Sequence, residues 1–226
     1  MRFMLLLACA LTAGFTPADE DVSGLTLERS KADGARLDAI TVSHDQVRHG
    51  GTSIRFSIVP GDCTPDDCNA DRERVELKSR DTEREGNRST YQWSFHLPTD
   101  FKSIWPAREF IAQFHQEGGK PAMLFSLEAD GLMFESRFLA GPKPVLIPRD
   151  ALFGQWHDLE VAVDWSKTKG MVRIRVDGEE RLARDMQTMS EEEAYFKIGL
   201  YRAHISRGGA MPEQVMHVDG IKRIQQ

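Results

Sequence analysis

Beyond residue 18 the sequence has no apolar run long enough to cross a bilayer, and the run within residues 1–18 is itself too short for a comfortable span. Cysteine is scarce, with only Cys9, Cys63 and Cys68. Positive charge is short as well: 29 lysines and arginines face 35 acids, for a net charge of −6. That balance argues against a general binder of nucleic acids or other polyanions, which here would need a local basic cleft. There is no long low-complexity tract, no internal repeat and no alternation of strands with helices. What remains, at 226 residues with 40% hydrophobic and 28% charged, is one sizeable soluble domain.

The first residues, "MRFMLLLACALTAGFTPADE", place a basic residue, an apolar run, then small residues and acids, the plan of a secretory signal. Cleavage is expected near Ala18, giving a signal peptide over 1–18, one domain over 19–226, and a secreted or periplasmic protein without a membrane partner. Cys9 lies too close to the start to suit lipidation. Its removal leaves Cys63 and Cys68, and an even pair in an exported chain points to a disulfide closing "GDCTPDDCN". A loop so short contributes about 2 kcal/mol when closed. Two cysteines without a nearby histidine pair make a poor zinc signature.

Strand patterns dominate. "TSIRFSIV", "TYQWSFHLP", "EFIAQFHQ", "AMLFSLEA", "LMFESRFLA", "HDLEVAVDW", "MVRIRVDG", "YFKIGLYR" and "QVMHVDGIKRI" are short, mostly alternating, and divided in many places by Gly-rich turns. The expected fold is all-β, an antiparallel sandwich of the jelly-roll, concanavalin A-like kind. Short helices are expected near "PTDFKSI" and "ARDMQTMSEEEA".

Three segments share one pattern. In "DRERVELKSR", Val75 and Leu77 alternate with Arg74, Glu76 and Lys78; in "FIAQFHQE", Ala112 and Phe114 alternate with Gln113 and His115. In "EAYFKIGLYRAH", Phe196, Ile198 and Leu200 alternate with Tyr195, Lys197, Gly199 and Tyr201. Period-two geometry puts the polar members of each strand on one face. An antiparallel sheet with one wet face alternates in the same way, so no single segment marks a site.

Taken in order, "RVEL", "QFH" and "YFKIGLY" resemble the signature of jelly-roll polysaccharide lyases, with alginate-lyase-like motifs. "YFKIGLYR", "GQWHDLEVAVDWS" and "GMVRIRVDGEE" are closer to the heparin lyase I-like and glucuronan lyase branch. The resemblance spans roughly residues 52–224. It implies β-elimination of an anionic, uronic-acid-containing polysaccharide, with His115 and Tyr201 in proton transfer and Gln113 and Arg74 engaging the substrate carboxylate. Lys197 and Glu76 match supporting, substrate-side positions. Lys78, Arg80 and Arg202 are expected to complete a locally positive, substrate-binding cleft. The family's substrate-binding asparagine has no clear counterpart, Asn87 being a guess.

The chemistry suits these residue types. The C5 proton of a uronate is poorly acidic beside an ionised carboxylate, so a catalyst must neutralise that group. Arg74 offers a forked cation and Gln113 an amide donor where charge develops. His115, with a reference pKa of about 6.5, is available as a base near neutrality. Tyr201 suits proton donation to the departing oxygen, or proton removal if nearby cations ionise it. Which of the two takes the proton is left open, as are the particular polyuronide and endo or exo action.

On this reading Gly199 keeps room for a sugar; otherwise it marks a bulge or a close backbone approach. Tyr91 and Trp105 are candidate stacking platforms, and Trp93, Trp156 and Trp165 packing residues. No cofactor is required, although Asp62, Asp66, Asp67 and Asp71 crowd the stapled loop and hard oxygen ligands suit calcium. The alternative there is a solvated acidic turn. Two rival functions remain: a noncatalytic carbohydrate-binding module, and a glycoside hydrolase using Asp158 with Glu160. No feature marks an oligomer, so a monomer is expected.

Overall fold

Alternating side chains build two antiparallel sheets that bury their apolar faces against each other. The computed structural model describes residues 21–22, 24–30, 34 and 36–226; the expected signal segment lies outside them. One sheet runs β1 (Asp21–Val22), β2 (Leu25–Arg29), β5 (Arg72–Glu83), β14 (Ala194–Ala203), β7 (Arg108–Gln116), β8 (Met123–Glu128), β9 (Gly131–Ser136), β10 (Val145–Pro148). The other runs β13 (Glu179–Met186), β12 (Gly170–Val176), β11 (Trp156–Asp164), β6 (Arg88–His96), β15 (Gln214–Gln225), β4 (Ser53–Ile58), β3 (Ile40–Ser43). The expected all-β jelly-roll sandwich is the observed architecture.

Aromatic rings lock the sheets together. Tyr91 of β6 meets Phe114 edge-on at 4.9 Å, and Trp93 packs on Phe125 at 5.4 Å and on Phe196 at 5.2 Å. Trp93 and Trp165 are core residues, as expected. Tyr91 is not a sugar platform: it is fully buried, and its hydroxyl donates to Glu83 at 2.7 Å. Trp105 is exposed but does not line the groove described below.

Neither expected helix forms. Residues 98–104 are irregular, and 183–186 belong to β13, where Leu182 and Met186 pair with β12 and face the core. Strand pairing outweighs the helix-forming acids that follow it. The α-helix among the described residues is instead α1 (Pro65–Asn69), at the loop that the Cys63–Cys68 disulfide closes. Thr64 caps it by accepting from the Asp67 amide, and Pro65 fits its first turn.

Candidate active site

Strand order decides the site. β14 lies between β5 and β7, and the register sets Tyr201 opposite Arg74, Lys197 opposite both Lys78 and Gln113, and Tyr195 opposite His115. Arg74, Gln113, His115 and Tyr201 thereby line one groove of about 520 Å³ on the face turned away from the core.

Beneath the groove lies a charged floor. Glu76 and Lys197, 1% and 3% exposed, form an ion pair, and Gln113 Nε2 donates to Glu76 Oε1 at 2.5 Å. Arg74 Nη1 reaches Glu76 Oε2 at 3.4 Å, and Arg74 Nη2 donates to Asp67 Oδ1 at 2.8 Å. Burial by itself would raise the Glu76 pKa, but Lys197, Arg74 and the donated hydrogen bonds outweigh it, so Glu76 stays ionised. Lys197 and Glu76 are too enclosed to contact a sugar; they position Gln113 and Arg74. Asp67 was missed as a site residue: the stapled helix turns its carboxylate onto Arg74.

His115 Nδ1 lies 2.8 Å from the Gln116 carbonyl, which can only accept, so Nδ1 carries the proton and Nε2 keeps its lone pair. Burial, with help from Lys197 and Arg74 and against the Gln116 hydrogen bond, holds its pKa below the ordinary imidazole value. Tyr195 stacks on His115 with centroids 5.5 Å apart, its hydroxyl 3.2 Å from Nδ1. Lys78, expected in the cleft, does not line the groove: its Nζ sits 4.6 Å from the Tyr195 ring centroid.

Burial raises the Tyr201 pKa against the opposing pull of Arg74 and Arg72, so its phenol keeps its proton near neutrality. The ring belongs to a ladder across three strands. Arg74 Cζ lies 4.4 Å from Tyr201, Tyr201 stacks on Phe110 at 5.4 Å, and Arg108 Cζ lies 4.7 Å from Phe110.

Three further expectations need correction. Arg202 is fully buried on the core side, bonded to Glu73 at 3.0 Å, Gln214 at 2.8 Å and the Pro212 carbonyl at 2.6 Å. Period two sets it with Ile198 and Leu200, not with Tyr201. Burial pushes nearby Glu109 up to about 8, leaving Glu73 as the carboxylate paired with Arg202. Arg80 pairs with Glu28 at 2.7 Å outside the groove, because the β5 register slips between Lys78 and Thr82. Gly199 makes no room for a sugar: an added Cβ would lie 2.2 Å from the Val75 carbonyl oxygen, and its φ is +141°. The close backbone approach is its role.

The groove's positive side chains are instead Arg72, Arg74, Arg108, Lys120 and Arg137, with His204 at its border. Asn87 lies elsewhere, donating to Glu83 at 2.9 Å.

The stapled loop is not a simple solvated turn, since Asp62 and Asp67 are buried. Asp62 accepts from the Val59 amide at 2.8 Å, Asp67 holds Arg74, and Asp71 accepts from Ser206. Among the described residues no three His, Cys, Asp or Glu side chains converge as a metal site. Asp158 and Glu160 face outward from the other sheet. Asp158 bonds Arg48 at 2.8 Å and Ser94 at 2.7 Å, and Glu160 bonds Gln92 at 2.9 Å.

No curated protein sequence matches the chain. Similar solved structures include the alginate lyase AlyC3, with 13% identity and a TM-score of 0.63 over 98% of this chain and 99% of that one. The alginate lyase from Klebsiella pneumoniae has 14% identity and a TM-score of 0.63 over 93% and 99% of the two chains. The catalytic domain of a glycoside hydrolase family 131 protein from Coprinopsis cinerea has 13% identity and a TM-score of 0.65 over 93% and 90%. At such identities the likeness concerns the fold, which serves lyases and a hydrolase alike. The family model for polysaccharide lyases matches residues 21–222, nearly all of the described chain, and the chain therefore belongs to the polysaccharide lyases.

Proposed function

We propose that this lyase cleaves a uronic-acid-containing polysaccharide by β-elimination, with His115 as base and Tyr201 as acid. The convergence of Arg74, Gln113, His115 and Tyr201 on one groove carries the reading. Arg74 and Gln113 neutralise the carboxylate beside C5, so that the electron pair left at that carbon spreads onto it. His115 Nε2 removes the C5 proton. The C4–O bond breaks as the C4–C5 double bond forms, and Tyr201 gives its proton to the departing oxygen. Each positioned transfer contributes on the order of 10²–10⁴ in rate.

The alginate lyase AlyC3 has also been solved in complex with dimannuronate, in keeping with a uronate ligand for this fold. The motif "YFKIGLYR" favours the heparin lyase I-like and glucuronan lyase branch. Export is part of the proposal and is supported by the Cys63–Cys68 disulfide, which suits an oxidising compartment.

The test is ultraviolet absorbance of the mature protein with glucuronan, alginate, heparin, hyaluronan and pectate in turn. A rise with one polymer, absent in His115→Ala, is expected, because elimination leaves a conjugated double bond. New reducing ends without absorbance would instead establish hydrolysis and overturn the proposal.

A further inference from the structure

The four charged side chains of the catalytic floor sum to zero. Arg74 and Lys197 bring two positive charges, and Asp67 and Glu76 cancel them at close range. Any excess of positive charge in the groove must come from other side chains.

One pleat along from Arg74, the register sets Arg72 and Arg108 on either side of Ala203. All three line the groove. With neighbouring strands about 4.8 Å apart, the two arginine backbones stand roughly 10 Å apart across Ala203. The alanine methyl leaves the space between them open. Arg72 has no acid partner among the described residues. Arg108 meets both oxygens of Glu135 through Nη2, at 2.6 and 2.5 Å, which leaves its Nη1 and Nε donors over. Lys143 lies 3.0 Å from the same carboxylate and 2.5 Å from Glu128, so these two acids balance Arg108 and Lys143, and the subsite's excess positive charge rests on Arg72. The ladder through Phe110 and Tyr201 fixes Arg108 relative to Arg74.

We infer that Arg72 and Arg108 form a second anion subsite over Ala203. It receives the carboxylate or sulfate of the sugar next to the one that reacts, so the favoured polymer carries charge on consecutive residues. A polymer alternating uronate with an uncharged sugar leaves this subsite unfilled. This inference rests on the uronate-lyase reading above.

The experiment pairs steady-state elimination with electrophoresis through gels containing polymer. The proteins are the mature wild type, Arg72→Ala, Arg72→Glu, Arg108→Gln and, as an equal charge change on the other sheet, Arg181→Ala. Arg72→Ala is expected to raise KM on glucuronan or alginate about tenfold, with a smaller loss in kcat, and Arg72→Glu to do more. Neither should shift KM on hyaluronan, while Arg181→Ala should behave as wild type. Dependence on Arg72 with glucuronan or alginate identifies a carboxylate in the subsite; dependence with heparin alone identifies a sulfate. Arg72 variants no different from Arg181→Ala would overturn the inference, as would equal losses on hyaluronan. The gels, run in the His115→Ala background, read the subsite without turnover. Arg72-dependent retardation, with no unsaturated product from wild type on any polymer, would sink the elimination reading and leave the subsite standing.

Discussion

Glu76 and Lys197 form an ion pair sealed beneath the groove, and the residues above it take their positions from Glu76. Gln113 and Arg74 both reach that carboxylate, one from β7 and one from its own strand. A buried charge that loses its partner is costly. Glu76→Gln should therefore destabilise the protein by roughly 3–5 kcal/mol, read by urea unfolding. Adding Lys197→Met should recover most of that loss of stability without restoring turnover.

His115 must be neutral to act as a base. Because its pKa lies below the ordinary value of about 6.5, the acid limb of kcat/KM should fall below that pH. Activity is lost as pH drops through the lowered pKa and His115 protonates. Tyr201 must keep its proton, and its raised pKa puts the alkaline limb above about 10. A pH profile with its acid limb above 7 would contradict these assignments, and Tyr201→Phe should cost at least about 10²-fold in kcat.

Asp67 reaches Arg74 from a loop that the Cys63–Cys68 disulfide closes. Replacing both cysteines by serine should cost about 2 kcal/mol in thermal or chemical unfolding. Turnover should fall further than stability alone accounts for, since Arg74 loses its clamp. Full kcat in the double variant would show that Asp67 holds its place without the staple.

Gly199→Ala meets two penalties, a positive φ and a Cβ inside the contact distance of the Val75 carbonyl. The expected loss is at least roughly 1–3 kcal/mol by urea unfolding, with the β5–β14 register disturbed.

On the outer face of the other sheet, burial, then His96 and Arg55, push His217 down to about 4, against the pull of Asp45. The unfolded chain binds this proton first, near pH 6.5, so stability falls as pH drops from there towards 4 and levels off below. The contribution is at most about 3 kcal/mol, less where solvent reaches the ring. His217→Phe should flatten that part of the stability curve in urea titrations at pH 4.5 and 7.

Period-two alternation was enough to place Arg74, Glu76, Gln113, His115, Lys197 and Tyr201 on one face, because β14 keeps an unbroken register with β5 from Lys197 to Tyr201 and β7 is regular from Gln113 to His115. The same alternation already set Arg202 with the core residues, against its expected place in the cleft. It also set Arg72, which lines the groove, and Tyr195, which stacks on His115, on that face. Phe110 and Arg108 were illegible for a physical reason. The β7 register shifts between Phe110 and Ala112, and this irregularity turns them to the groove face, out of step with Gln113 and His115.

What the sequence determined by itself was local: which side chains share a face, which cysteines could pair, and which residue types could move a proton. The tertiary structure decided which strands are neighbours, where bulges switch a face, and which charges are buried in pairs. Those depend on contacts between residues far apart in the chain. Asp67 shows the difference: in the sequence it is one acid in an acidic turn, and only the fold brings it to Arg74.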